Sequence, residues 1–180
     1  GRRNFKVFLL RESNDKKLSN DAQHFYDLLM ADGPGVIEIS EPSQLSQESL
    51  GVKVDAMFGT GLDRQLNAFW ISCIEVFDSL PGICFSVDCP SGLNCTTGEI
   101  MGAAVTADYT VTFGHPKTGF YRQHASVQLG HVIVGEIGLA SPEEAGIPTS
   151  EFAFPRAFFE NHPIPPRKHD VHKGDFGRVL

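Results

Sequence analysis

The sequence predicts an α/β protein with a parallel sheet covered by helices. Strand and helix candidates alternate over about half of the chain, as they do in sheets built from strand–helix–strand units. Residues 83–87 form a short apolar run, which is typical of a strand that is buried on both faces. The run ends at Asp88, and the chain must turn there because the Pro-Ser-Gly that follows cannot continue a strand.

Seven stretches rich in Val, Ile, Leu and Phe are predicted as strands, at residues 5–10, 36–39, 52–58, 83–87, 107–113, 132–134 and 137–139. A first helix follows the first strand, since Ser19 can cap it and Gly33-Pro34 can stop it. A second helix is predicted over residues 67–80, where apolar side chains recur with helical spacing.

The composition limits the class of protein and of partner. A hydrophobic fraction of 41% and a charged fraction of 21% are typical of a folded soluble chain. The net charge of −7 argues against nucleic acid as the main partner. No apolar run approaches the roughly 20 residues that cross a bilayer, and none resembles a signal peptide. The four cysteines lack zinc-site spacing, which favours a reduced, cytoplasmic protein.

The chain is predicted to contain one domain, a linker and the beginning of another domain. Residues 1–140 hold the alternating elements, and residues 141–171 contain six prolines, as a linker does. Residues 172–180 read as a Gly-punctuated loop running into a new strand. Because the chain opens without Met and stops inside an apolar run, we interpret it as a fragment cut at both ends.

Three predicted strand ends carry residues that are suited to binding or chemistry, because ligands of open α/β sheets bind at the carboxyl ends of strands. Residues 59–65 expose backbone N–H groups that suit a phosphate, although a plain turn fits equally well. Asp88 with Ser91 is the second group; the alternative is that both merely cap the turn. Residues 114–119 are the third, where Lys117 could meet a phosphate or a carboxylate.

Asp55 lies inside a predicted strand, where an unpaired carboxylate would be costly. It therefore needs a cation, a charged side chain or several N–H donors. A monovalent cation held by Asp55, carbonyl oxygens and the Ser91 hydroxyl would satisfy it, because hard cations take oxygen ligands. The alternative is that Asp55 faces solvent at a strand start or accepts backbone hydrogen bonds.

Three motifs in this order resemble the NAD(P)H-hydrate epimerase family (the YjeF N-terminal domain): residues 54–62 (VDAMFGTGL), 87–93 (VDCPSGL) and 107–117 (ADYTVTFGHPK). The resemblance covers roughly residues 1–140 and implies a Rossmann-like three-layer αβα sandwich with a mostly parallel sheet. The tail, residues 172–180 (HKGDFGRVL), resembles the opening of the ribokinase-like ADP- or ATP-dependent NAD(P)H-hydrate dehydratase domain. The family's Asn-Asn-Gly-Gly-Asp-Gly loop does not occur; we attribute this to a missing N-terminal part.

The resemblance implies roles for particular residues. Asp55 and Ser91 match positions that bind a potassium ion, and Asp88 matches a substrate-contacting acid that we expect to be catalytic. The loop that binds the hydrated nucleotide matches Gly59, Thr60, Gly61, Leu62, Asp63, Arg64 and Gln65.

The implied substrates are NADHX and NADPHX, nicotinamide cofactors hydrated at C6, and the implied reaction is epimerisation at that carbon. The fused domain would use ADP or ATP with Mg²⁺ to dehydrate the S epimer. Two other functions stay open at this point: a catalytically silent nucleotide-binding module, and a scaffold with the same fold. A membrane partner is not expected, and a homo-oligomer is left open.

Overall fold

A computed structural model describes residues 5–12, 18, 20–32, 36–47, 51–142, 144–148 and 160–161. Internal contacts divide the chain into two units, Gly1–Leu139 and Ala140–Leu180. The strands are β1 (Val7–Leu10), β2 (Val36–Ile39), β3 (Val52–Asp55), β4 (Ile83–Val87), β5 (Tyr109–Phe113) and β6 (His131–Gly135). The helices are α1 (Asn20–Asp32), α2 (Ala68–Ser79) and the single turn α3 (Ser126–Leu129).

Every pair of neighbouring strands that the structure describes is parallel, so the predicted α/β class with parallel strands is confirmed. Within the described residues the strands form two sheets: β1 pairs with β2, and the other four follow the order β3-β4-β5-β6. Parallel neighbours place their carboxyl ends at one edge, so the ends of β3, β4 and β5 lie side by side. The four-stranded sheet therefore carries all three strand ends at which the sequence predicted binding or catalytic residues.

The second helix and most strands agree with the sequence. Asn67 caps α2, and its side chain accepts a hydrogen bond from the Trp70 N–H at 3.2 Å. The prediction of a strand at residues 137–139 is wrong: Gly138 adopts a φ of 77°, which breaks the extended backbone after β6. The Ser19 cap and the Gly33-Pro34 stop lie outside the described residues.

The two faces of the four-stranded sheet differ. On one face Ile74 of α2 packs with Cys84, Val105 and Ala107. The opposite face is more open, and Ile83 there keeps 49% exposure. The expectation that β4 is buried on both faces is therefore wrong for the described part of the chain.

The covered face is unusually polar. Lys53 is buried there, and its Nζ donates to the carbonyls of Phe77 (2.8 Å), Asp78 (3.1 Å) and Leu80 (2.9 Å) at the end of α2. Because the last carbonyls of a helix have no intrahelical partner, a cation at this place satisfies them. Lys53 thus joins α2 to the sheet.

None of the helices in the described ranges is long and apolar enough to cross a membrane.

In the second unit, the Ser141 hydroxyl accepts a hydrogen bond from the Glu144 N–H at 3.2 Å, and the Glu144 carboxylate accepts one from the Ser141 N–H at 2.9 Å. This reciprocal pair closes a local turn. Most of the predicted linker, at residues 149–159 and 162–171, and the predicted start of a second domain, at residues 172–180, lie outside the described residues.

Candidate active site at the carboxyl edge of the sheet

The site begins where β3, β4 and β5 end. Asp55, the last residue of β3, pairs in register with Ser86 of β4. Asp88 follows β4 directly, and its N–H donates to the Val111 carbonyl of β5 at 2.8 Å. Two aspartates at the ends of neighbouring strands thus face the same edge of the sheet.

Asp55 is 1% exposed, and both of its carboxylate oxygens accept two hydrogen bonds. Oδ1 accepts from the Met57 N–H at 3.3 Å and from the Ser91 hydroxyl at 2.5 Å. Oδ2 accepts from the Ser86 hydroxyl at 2.9 Å and from the Ser91 N–H at 2.8 Å. Of the explanations that the sequence offered for this acid, the structure shows N–H donors, from Met57 and Ser91, and it adds two hydroxyl donors that the sequence did not predict.

Burial raises the pKa of Asp55, and the hydrogen bonds from Ser91, Ser86 and Met57 oppose that rise only in part. A carboxylate inside a protein loses its hydration, and neutral donors replace water less effectively than a positive charge does. Asp55 is therefore a structural carboxyl group with all of its acceptor positions in use.

Ser91 connects the segments that follow β3 and β4. Its hydroxyl oxygen accepts a hydrogen bond from the Phe58 N–H at 2.8 Å while the same hydroxyl donates to Asp55. The Phe58 carbonyl, at 3.4 Å, is a second acceptor within reach of that hydroxyl. Loss of Ser91 would leave a buried carboxylate position and a backbone N–H without partners.

A potassium ion would meet an all-oxygen set here: the Asp55 carboxylate, the Ser91 hydroxyl and the Phe58 carbonyl. This chemistry fits a hard monovalent cation. The carboxylate is already saturated, so an ion bound directly to it would have to replace the Ser91 hydrogen bond. Across the described ranges, no group of three His, Cys, Asp or Glu side chains could hold a metal ion.

Asp88 has a φ of 67°, the one non-glycine residue with a positive φ among those described. Aspartate tolerates this left-handed conformation better than most residues, yet it still costs energy, and such strain is concentrated at functional sites. Its Oδ1 accepts from the Thr112 hydroxyl at 3.2 Å and from the Phe113 N–H at 3.1 Å. The end of β5 therefore holds the carboxyl group in place.

Lys117 completes the environment of Asp88. Its Nζ lies 2.9 Å from Asp88 Oδ1, and the two side chains are 21% and 22% exposed. Burial alone would raise the pKa of Asp88, but the hydrogen bonds from Lys117 and Phe113 and the Lys117 charge outweigh it, so the pKa is lowered. The described residues place no donor on Oδ2, which leaves that oxygen open to a substrate.

The sequence allowed Lys117 either a phosphate or a carboxylate partner, and the structure brings it to a carboxylate. The residues that sequence reasoning missed are the hydroxyl donors: Ser86 for Asp55, and Thr112 for Asp88. The alternation of side chains along a strand could have identified both, since Ser86, Thr110 and Thr112 lie on the same buried face of β4 and β5.

The loop after β3 lines an open pocket of about 460 Å³, formed by Met57, Phe58, Gly59, Gly61, Leu62, Asp63 and Arg64. A Cβ added to Gly59 or Gly61 would meet nothing within 4 Å, so neither glycine is required by packing. Thr60 and Gln65 are exposed and do not line this pocket; Gln65 Nε2 lies 3.9 Å from the Met101 sulfur. The loop thus presents bare backbone to the space beside it.

A tight crossing supports the segment that carries Ser91. Gly92 has a φ of 93°, and a Cβ there would collide with the Ala103 carbonyl. The backbone is tied on both sides, because the Met101 N–H donates to the Gly92 carbonyl and the Val105 N–H donates to the Ser91 carbonyl, at 2.8 and 2.9 Å. Only glycine fits this place without strain.

Parallel strands, a glycine loop and acidic residues at the carboxyl edge define an α/β protein of the type that binds ligands beyond its strand ends. The family model described as YjeF-related protein N-terminus matches residues 2–119, and the chain belongs to this family.

Two curated relatives illustrate the similarity. The chain is 34% identical to the bifunctional NAD(P)H-hydrate repair enzyme Nnr of Thermofilum pendens, over 97% of this chain and 33% of that protein. It is 33% identical to an NAD(P)H-hydrate epimerase of a Leuconostoc species, over 78% of this chain and 60% of that protein. The chain therefore spans less than two thirds of either relative.

A crystal structure of the yeast protein ynu0 is similar in fold, with a TM-score of 0.54 and 18% sequence identity. The similarity covers 92% of this chain and 62% of the yeast chain. It agrees with the Rossmann-like α/β architecture that the resemblance to the family implies.

Proposed function

We propose that the protein containing this chain is an NAD(P)H-hydrate epimerase, acting on NADHX and NADPHX at C6 of the hydrated nicotinamide ring. The observation that carries the proposal is Asp88: an ionised, half-buried carboxylate with one open oxygen, at a strand end next to a glycine loop. The curated relatives named as epimerases and as bifunctional repair enzymes support the substrate class.

Asp88 is the proposed catalytic residue, and its ionisation favours one chemical route. An ionised carboxylate can accept the proton of the C6 hydroxyl while the bond from C6 to the ring nitrogen breaks. The nitrogen takes that electron pair, the ring opens to an aldehyde, and closure on the other face inverts C6 and returns the proton. Loss of hydroxide from C6 would need a proton donor, which an ionised Asp88 is not.

The proposed substrate-binding loop is Gly59, Thr60, Gly61, Leu62, Asp63, Arg64 and Gln65. The pocket beside it and the bare backbone of its glycines support this role, since backbone N–H groups can approach a phosphate closely where no Cβ intervenes. Arg64 brings a positive charge to the same lining. Asp88 would contact the nicotinamide end of the ligand.

A potassium site at Asp55 and Ser91 is the second part of the proposal. The Asp55 carboxylate and the Ser91 hydroxyl are adjacent, and together with the Phe58 carbonyl oxygen they support this site. The Ser91 hydroxyl could donate to that carbonyl instead of to Asp55. The bound ion would offset negative charge and fix the loops after β3 and β4. A direct test compares melting temperatures in potassium and sodium chloride for wild type and Ser91→Ala; equal values in both salts for wild type would contradict the site.

We further propose that the chain continues into a dehydratase domain that uses ADP or ATP with Mg²⁺. This proposal assigns residues 1–140 to the epimerase domain, residues 141–171 to a linker and residues 172–180 to the second domain. The Thermofilum relative, which is named bifunctional and aligns over 97% of this chain, supports it. A cytoplasmic location stays a prediction from the cysteine pattern.

The test uses the full-length parent protein. We would follow interconversion of R- and S-NADHX by chromatography, in potassium and in sodium, with wild type and Asp88→Asn. Interconversion that potassium favours and the variant loses is the expected result. Rates equal to the spontaneous background in wild type would contradict the epimerase proposal and leave a binding module or a scaffold.

A further inference from the structure

Lys117 lies between Asp88 and the turn that follows β5. Its Nζ is 2.9 Å from Asp88 Oδ1, 3.1 Å from the Phe113 carbonyl oxygen and 3.2 Å from the His115 carbonyl oxygen. An ammonium group has three N–H donors, so these three acceptors use all of them. In this arrangement Lys117 has no donor left for a nucleotide phosphate.

We propose that Lys117 is a positioning residue for Asp88. Its ammonium group contacts Asp88 Oδ1 and donates to two carbonyls of the turn after β5, which fixes the orientation of the Asp88 carboxyl group at the edge of the sheet and places a positive charge beside it. The inference rests on the proposed function, since it gives Lys117 a part in the reaction of Asp88. Oδ1 is committed to Lys117, Thr112 and Phe113, so Oδ2 is the oxygen turned to the substrate.

Among the residues that the structure describes, the other hydrogen-bond partners of Asp88 do not supply this charge. From β5 come only the neutral Thr112 hydroxyl and the Phe113 N–H. Two buried thiols, those of Cys89 and Cys95, also interact electrostatically with Asp88. The hydrogen bond with Cys95 and burial raise the pKa of Cys89, so it carries no charge near neutral pH. A negative charge on Cys95 would oppose the ionisation of Asp88 rather than favour it.

A purely structural role for Lys117 is the competing explanation, because its bonds to the two carbonyls also close the turn after β5. The two roles differ in one respect. A purely structural role in closing the turn needs N–H donors, whereas an effect on the ionisation of Asp88 needs a positive charge within about 4–6 Å. Lys117→Gln keeps a donor and removes the charge, and Lys117→Arg keeps both.

The deciding experiment is a ¹³C NMR titration of the Asp88 carboxyl group in this chain. In wild type and Lys117→Arg we expect a midpoint below the ordinary aspartate range. In Lys117→Gln and Lys117→Met the midpoint should rise by about one pH unit or more. Lys6→Met, which removes the same charge just before β1 in the other sheet, is the matched control and should titrate as wild type does.

A Lys117→Gln midpoint that stays at the wild-type value would overturn the inference, even if the variant melts earlier. This readout needs no substrate, so it decides on Lys117 whether or not the epimerase proposal holds. A Cys95→Ser variant that raises the midpoint as far as Lys117→Gln does would also contradict the assignment of the effect to the lysine charge.

If the full-length parent is an epimerase, the same variants give a second readout. The acidic limb of the kcat profile should move to higher pH in Lys117→Gln, with little change in KM. The double variant Asp88→Asn with Lys117→Gln should be no slower than Asp88→Asn alone, because Lys117 acts through Asp88. Fully additive losses would contradict this route of action.

Discussion

Asp55 and Asp88 are two aspartates at the ends of adjacent parallel strands, and their surroundings are opposite in almost every respect. Asp55 is sealed from solvent and accepts four hydrogen bonds from neutral groups, which leaves its pKa raised by burial. Asp88 is partly exposed, strained in its backbone and paired with Lys117, and its pKa is lowered. The same residue type thus has two contrasting environments at the ends of adjacent strands.

This contrast indicates that the type of hydrogen-bond donor, more than the depth of burial, decides what a carboxylate can do. Four neutral donors make Asp55 a junction that joins the segments after β3 and β4. One cation and an open oxygen suit Asp88 to the catalytic role that we propose for it. Each prediction below changes one of these two environments and leaves the other intact.

The largest effect is expected for Asp88→Asn. Because an amide cannot accept the substrate proton as a base, kcat of the full-length parent for NADHX interconversion should fall about 100-fold or more. The chain should stay folded, since an amide oxygen can still accept from Thr112 and Phe113. Unchanged turnover in a folded variant would remove Asp88 from the reaction.

Asp55→Asn should act on stability instead. The amide nitrogen would face one or two of the four donors that the carboxylate now satisfies, and a buried network that loses its charged acceptor costs about 2–4 kcal/mol in free energy of unfolding. Urea unfolding followed by circular dichroism measures the loss. A variant as stable as wild type would mean that the network around Asp55 is not needed.

Ser91→Ala should cost less, about 1–2 kcal/mol, because it removes one hydroxyl while the Ser91 N–H still reaches Asp55. The Phe58 N–H loses its acceptor, so hydrogen exchange at this amide should accelerate. Thr110→Ala is a suitable control, since it removes a buried hydroxyl from the same sheet without touching Asp55. Equal exchange at Phe58 in both variants would contradict the proposed link.

The smallest effect is in the dependence of stability on pH, where the two acids act in opposite directions. The lowered pKa of Asp88 adds stability above the unfolded-state pKa, and this is lost as the pH falls through its folded-state pKa. The raised pKa of Asp55 instead burdens the folded state at neutral pH, and acid relieves that burden. Between neutral pH and pH of about 3, Asp88→Asn should therefore lose less stability than wild type does.

This prediction is checked by the free energy of unfolding of both proteins across that range. A variant that loses more stability in acid than wild type would reverse the sign assigned to Asp88. The same series with Asp55→Asn should show the opposite change, which makes the two variants controls for each other.

The sequence predicted the elements around the site well, because Ile83 to Val87 and the turn residues after it leave few alternatives. It also identified Asp55, Asp88 and Ser91 as unusual from their positions alone. The sequence could not show which groups donate hydrogen bonds to Asp55, since Ser86 lies in β4 and reaches that acid only because β3 and β4 pair. The partner of Lys117 was equally hidden, because the positive φ of Asp88 and the turn after β5 bring them together.

The most direct test of the account titrates both carboxyl groups in one sample of the wild-type chain, by ¹³C NMR with assignments taken from Asp55→Asn and Asp88→Asn. We expect Asp88 to titrate below the ordinary aspartate pKa of 3.8 and Asp55 to titrate above it. Equal midpoints, or Asp88 titrating above Asp55, would contradict the division between a reactive and a structural carboxylate.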